Sequence, residues 1–232
     1  MFQSALCRIS PRPLRFKILG LPKSQNHRAE RLASSPAPAY HATVMTSENA
    51  VRKTSLRQKA QLMSASEVDR TLVRLAYQIV EENGVDGLGL IGVRRRGVPL
   101  AERLSHTIEN IEKIRVPVGT LDITFYRDDL STVGPKPVVH ESEIGFPIQN
   151  KNIVLVDDVL FTGRTIRAAL DALFSQGRPR RVQLCVLIDR GHRELPIEAA
   201  FVGRTVQTTM NEVIEVKLKE IDGTEKVLLM EK

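Results

Sequence analysis

Apolar residues recur at three- and four-residue steps through Val68, Leu72, Leu75, Ala76, Ile79 and Val80, which predicts an amphipathic helix. Ser64 and Glu67 stand in front of it at capping-box spacing, and Asn83-Gly84 ends it. Residues 87–93 (GLGLIGV) form a short apolar run of the kind expected for a buried strand, followed by Arg94-Arg95-Arg96-Gly97. A second helix is predicted over 99–110, with Leu100, Ala101, Leu104 and Ile108 on one side. Residues 116–125 read as a strand. Residues 126–145 are polar and aperiodic, a length that in a compact domain marks a lid or binding loop.

The second half repeats the alternation. A fully apolar strand is predicted over 152–156, a helix over 165–175, a strand over 181–188 and a brief one over 199–202. Residues 212–221 and 224–231 then alternate around Asp222-Gly223, which predicts a two-residue hairpin. Strands separated by helices imply β-α-β units and a parallel sheet, so the fold class is α/β, finished by a C-terminal antiparallel hairpin.

Residues 1–60 carry no sustained period and are rich in Pro, Ser, Ala and Arg. They are predicted to be a disordered basic extension, with the folded domain over 61–232. Charge supports that division. Residues 1–45 hold seven of the 34 basic residues and only Glu30 of the 27 acidic ones. The remainder is nearly neutral, so bulk charge gives no case for polynucleotide binding by the body. Three readings of the extension stand: Met45 as the true first residue, an organellar transit peptide, or an RNA-contacting arm. No run of about 18 apolar residues exists, which excludes a membrane span. Cys7 and Cys185 cannot alone build a disulfide framework or a four-ligand zinc site. Cys185 lies in an apolar run and reads as a small buried hydrophobe. A reducing, cytoplasmic setting is expected.

The densest chemistry is in IVLVDDVLFTGRT: Ile153, Val154, Leu155, Val156, Asp157, Asp158, Val159, Leu160, Phe161, Thr162, Gly163, Arg164 and Thr165. An apolar strand ends in two carboxylates, and a loop with Thr162, Gly163 and Thr165 opens a helix. Strand carboxyl ends face the crevice where open α/β sheets bind ligands. Amides at a helix start bind anions, and glycine allows close backbone approach. Acids accept from vicinal hydroxyls or bind a metal through water. Phosphate on one side and diol on the other describe a ribose 5-phosphate. The alternative is a solvated acid pair beside an ordinary helix start, which consecutive acids after a buried strand disfavour.

This segment resembles the phosphoribosyl-pyrophosphate (PRPP) motif of type I phosphoribosyltransferases. TLDITFYRDDL (120–130), IRAALDALFSQGRPRRVQLCVLIDRGHRELPI (166–197) and the RRRG turn further resemble the PyrR family, bifunctional pyrimidine-operon regulators with uracil phosphoribosyltransferase activity. The resemblance spans about residues 62–232. It implies uracil and PRPP as substrates, UMP and pyrophosphate as products, and Mg²⁺ held by Asp157 and Asp158 through water. It implies pyrophosphate at Arg94, Arg95 and Arg96, with a non-proline cis peptide near Arg94-Arg95. It places Arg127 in a loop that closes over PRPP, so that Asp157, Asp158 and Arg127 carry catalysis. It puts uracil beside Arg190 and Val202, with His192 more structural than catalytic. Where the family usually has a small residue, this chain has Arg95. The resemblance also implies a homo-oligomer, a dimer or larger, and a pyrimidine-operon mRNA leader as a partner. The competing function is an RNA-binding attenuator with minor enzymatic activity, for which Arg52, Lys53, Arg57, Lys59, Arg70 and Arg74 are the available cations.

Overall fold

The computed structural model describes residues 56–123 and 142–232. In chain order the elements are β1 (Arg57–Ser64), α1 (Ala65–Asn83), β2 (Leu88–Val93), α2 (Gly97–Glu112), β3 (Val118–Leu121), β4 (Asn152–Leu160), α3 (Arg164–Gln176), β5 (Arg181–Asp189), β6 (Phe201–Thr205), β7 (Glu212–Lys217), α4 (Lys219–Asp222) and β8 (Lys226–Glu231).

The apolar runs become the middle of a parallel sheet. Its order is β3-β2-β4-β5-β6, with Val156 of β4 paired to Gly92 on one side and Cys185 on the other. Such strands are apolar at every position because helices cover both faces. Along β4, Val154 and Val156 join the core under α1 and α2, whereas Ile153 and Leu155 join the core under α3. Cys185 is buried as expected, and burial pushes its thiol up to about 12.

α1 begins as the sequence predicts: the Ser64 N–H donates to Glu67 at 2.8 Å and the Ser64 hydroxyl donates to the same oxygen at 2.7 Å. It ends at Gly84, whose φ of 64° favours glycine. Among the described residues no helix is long and apolar enough to cross a membrane.

Three expectations change. β1 starts at Arg57, inside the stretch expected to be disordered to residue 60, because it pairs antiparallel with β8. Its partner lies at the other end of the chain, so no local period announces it. The C-terminal hairpin is instead part of a three-stranded sheet, β1-β8-β7. Asp222-Gly223 does not form a two-residue turn there. Asp222 accepts from the Leu218 N–H at 2.9 Å, which folds 219–222 into the single turn α4, and Gly223 caps it at φ 67°. Finally, β4 continues through Asp157 and Asp158 to Leu160, so the acids lie within the strand rather than after it. Asp157 is still in register with Val186 of β5.

Candidate active site

The carboxyl ends of β2, β3 and β4 open into a cavity of about 1020 Å³. Arg94, Arg95, Arg96, Asp157, Asp158 and Thr165 all line it, so the arginine turn, the acid pair and the start of α3 converge as expected. The Arg94-Arg95 peptide is cis, as the resemblance implies.

Glycine brings the arginine turn to the acids. A Cβ on Gly92 would stand 2.4 Å from the Val98 Cα, and one on Gly97 would meet the backbone of β4. The first turn of α2 therefore packs backbone against backbone on the sheet edge. Arg94 Nε is buried with no hydrogen-bond partner among the described residues. An unsatisfied buried donor at a cavity wall is a feature that an anion would complete.

The acids are held by their own backbone. The Asp158 N–H donates to the Asp157 carboxylate at 2.9 Å, and the Val159 N–H donates to the Asp158 carboxylate at 2.9 Å. Burial pushes the Asp157 carboxyl well above its ordinary 3.8, and the neighbouring Asp158 charge pushes it further. Burial also raises Asp158, where the Arg96 guanidinium pulls the other way. Two acids kept this close in a dry site need a cation or hydroxyl donors to be stable in ionised form.

The expected phosphate loop runs from Phe161 into α3. Gly163 sits at the helix start with φ 92°, and Thr162 accepts from the Glu194 and Leu195 N–H groups at 3.0 and 3.2 Å. Of the motif, Ile153, Val154, Leu155 and Val156 are buried and Leu160 is buried with them, so their side chains build the strand. Arg164 points to Glu194 at 2.7 Å.

The two residues expected beside the base lie outside the cavity lining. The Arg190 guanidinium donates to the Thr208 hydroxyl at 3.2 Å and to the Thr209 and Glu212 carbonyls at 3.3 and 2.8 Å. It also covers the Phe161 ring at 4.0 Å. Val202 lies in β6, and its carbonyl accepts from Arg74 at 3.2 Å. His192 is bound at 2.5 Å to the Thr208 carbonyl, away from the acids. Arg127 lies outside the described residues.

Among the lining residues that sequence alone did not point to are Thr120 and Asp122 at the end of β3, and Glu220 and Ile221 in α4. The first pair had a signal, since adjacent parallel strands end at the same crevice. The α4 pair had none, because only the antiparallel sheet brings it there. Arg103 of α2 holds α4 with two bonds to Glu220, at 2.7 and 3.0 Å, and pairs also with Glu225.

A parallel sheet whose carboxyl edge presents an acid pair, an arginine turn and a helix-start loop defines a phosphoribosyltransferase, and a model of the phosphoribosyl transferase domain matches residues 61–221. The chain belongs to this family and, within it, to the PyrR family. A bifunctional protein PyrR of Thermus aquaticus is 57% identical over 178 residues, covering 76% of this chain and 98% of that protein. Its namesake from Deinococcus radiodurans is 52% identical over 174 residues, covering 75% and 95%. Among solved structures, a hypoxanthine-guanine phosphoribosyltransferase of Bacillus anthracis superposes with TM-score 0.58 at 20% identity, over 76% of this chain and 99% of that one. The hypoxanthine phosphoribosyltransferase of Trypanosoma cruzi gives 0.58 at 16%, over 75% and 97%. These two share the fold.

Proposed function

We propose that this chain transfers the ribose 5-phosphate of PRPP to uracil, yielding UMP and pyrophosphate. The observation that carries the reading is the single cavity that gathers Asp157 and Asp158 with Arg94, Arg95 and Arg96. The bond from ribose C1 to the pyrophosphate oxygen breaks as the bond from C1 to uracil N1 forms, and the N1 proton passes to solvent. Charge grows positive on the ribose ring and negative on the leaving group. The acid pair accepts from the ribose hydroxyls beside the first, and the arginine turn receives the second. Amides at the start of α3, with Thr162 and Thr165, hold the 5-phosphate. No covalent nucleophile is required.

Magnesium fits the donors present, hard carboxylate oxygens on Asp157 and Asp158 at the cavity wall. Among the described residues no three acidic, His or Cys side chains form a cage. Asp157 and Asp158 would hold the ion through water. When bound it neutralises charge on the departing pyrophosphate. Arg127, which lies outside the described residues, would meet pyrophosphate. The reading assigns uracil to Val202 and the Asp189–His192 corner, where Arg190 packs on Phe161 and bonds to the Thr209 and Glu212 carbonyls.

Regulation through a pyrimidine-operon leader RNA is the second function, favoured by the bifunctional name of the relatives. The cations available for it are partly engaged. Lys59 pairs with Glu212 at 2.5 Å, and Arg74 donates to the carbonyls of Val202 and Gly203. We rank catalysis first for that reason. A homo-oligomer is part of the proposal, with exposed Val73 and Tyr77, one turn apart on α1, as apolar positions an interface would cover.

The test is UMP formation by purified protein from PRPP with uracil, set against cytosine, hypoxanthine and guanine. Uracil should be the preferred base. Preference for a purine would overturn the assignment.

A further inference from the structure

Arg96 is bonded to one carboxylate and shares its cavity with a second. Its Nη2 donates to Asp222 Oδ1 at 2.9 Å, and its Nε faces Asp222 Oδ2 at 3.4 Å. Asp158 lines the same cavity as Arg96, and the guanidinium offsets part of the burial that raises the Asp158 carboxyl. Asp222 belongs to α4 of the antiparallel sheet, and Asp158 to β4 of the parallel one. The remaining acids of the α4 region, Glu220 and Glu225, are taken by Arg103 and do not compete for Arg96.

An arginine free to move beside a half-buried carboxylate will close on it, because a partly desolvated acid gains most from a bidentate partner. In the proposed reaction that outcome blocks the site twice. Asp158 would be withdrawn from the ribose and metal side, and the guanidinium from the diphosphate side. The bond to Asp222 prevents both. It uses one N–H on Nε and one on Nη2, and the guanidinium has five in all, so three remain for a ligand. Asp222 is itself fixed, because Oδ2 also accepts from the Leu218 N–H at 2.9 Å.

We infer that Asp222 is a positioning residue for pyrophosphate: it holds Arg96 off Asp158 and presents the free edge of the guanidinium to the cavity. This rests on the proposed PRPP reading of the site. Its consequence is that the antiparallel sheet, remote in sequence, sets the affinity of the leaving-group pocket. A simple charge count gives the opposite expectation, since removing an acid near a diphosphate should tighten binding.

The experiment is a double-mutant cycle on the full chain, read by calorimetric titration with pyrophosphate and magnesium and by steady-state kinetics. Asp222→Asn keeps an oxygen for the Leu218 N–H while removing the charge. It should weaken pyrophosphate binding about tenfold, the scale of a charge-assisted bidentate contact. The KM for PRPP should rise in parallel, with the KM for uracil within about twofold. In an Arg96→Gln background, Asp222→Asn should add nothing further. Asp222→Glu, which retains the charge, should recover part of the affinity. Additive losses in the cycle, unchanged or tighter pyrophosphate binding in Asp222→Asn, or no recovery in a normally folded Asp222→Glu would each overturn the inference. Failure of the unmodified protein to bind pyrophosphate at all would instead overturn the PRPP reading, and this inference with it.

Discussion

Gly97 lies so close to Val156 that a Cβ on the glycine would stand 2.2 Å from the valine's carbonyl oxygen. Val156 directly precedes the acid pair, and Gly97 directly follows the arginine turn. The distance between the cationic and anionic halves of the site is therefore set by a backbone contact that no side chain fits. Gly97→Ala should displace the first turn of α2 from β4, costing about 1–3 kcal/mol of stability as overpacked cores do. The arginines would move with it, and misplacement by about 1 Å costs on the order of 10²-fold in rate. Thermal unfolding and steady-state kinetics on the variant check both. A normal rate would show that the two halves act independently.

Asp157 and Asp158 place function and stability in opposition. Each carboxyl is raised above its ordinary 3.8 by burial. For an acid with a raised folded pKa, protonation is favoured by folding, so stability falls as pH climbs from the ordinary carboxylate range toward the raised value. Asp157→Asn removes part of that fall and should raise the melting temperature at neutral pH in the absence of ligand. The same substitution should lower turnover by about 10²-fold or more, through lost charge at the ribose. Asp158→Asn should do likewise with a smaller stability gain, because Arg96 already offsets its burial. Melting curves from acid to neutral pH, set beside turnover, are the measurement. Unchanged turnover in both variants would remove the acid pair from catalysis.

The parts of this protein readable in the sequence are those whose causes are local. The capping box at Ser64 and Glu67, the stop at Gly84 and the apolar runs of β2, β4 and β5 depend on neighbours within a turn or a strand, and each lies where the pattern puts it. The acid pair and the arginine turn are legible for the same reason, since each sits at one strand's carboxyl end. What was illegible depends on partners far along the chain. β1 exists because β8 pairs with it, and Asp222 forsakes a hairpin turn for Leu218 and Arg96. The same long-range ties hold Arg190 between Phe161 and Glu212, a placement that no local pattern announces.

Arg127 opens the connection whose two ends return to β3. Ile123 lines the cavity, and Glu143 pairs with Thr120 through two 2.9 Å bonds. Arg127→Ala should slow the single-turnover rate by about 10²-fold, the scale of one lost transition-state donor, with uracil binding preserved. An unchanged single-turnover rate would place Arg127 outside the reaction.

Arg70 and Arg74 lie one turn apart on α1, and phosphate binding alone would treat them alike. The structure separates them. Arg74 Nη2 donates to the carbonyls of Val202 and Gly203, at 3.2 and 2.5 Å, while Nη1 holds Gln78 at 3.1 Å. Gly203 in turn lies against the Leu187 carbonyl, where a Cβ would stand at 2.3 Å, so this end of β6 is tightly seated between β5 and α1. Arg74→Ala frees the strand on the proposed uracil side and should raise the KM for uracil about threefold to tenfold, the net value of one ordinary hydrogen bond. Arg70→Ala should leave that KM unchanged. If the exposed face of α1 contacts RNA, Arg70→Ala should reduce the salt slope of leader binding by about 0.7, one phosphate contact to a single strand. Filter binding to a pyrimidine-operon leader and a scrambled control at several salt concentrations, run beside uracil kinetics, reads both effects. Identical behaviour of the two variants in the uracil assay would show that the Arg74 bonds to β6 carry nothing to the base.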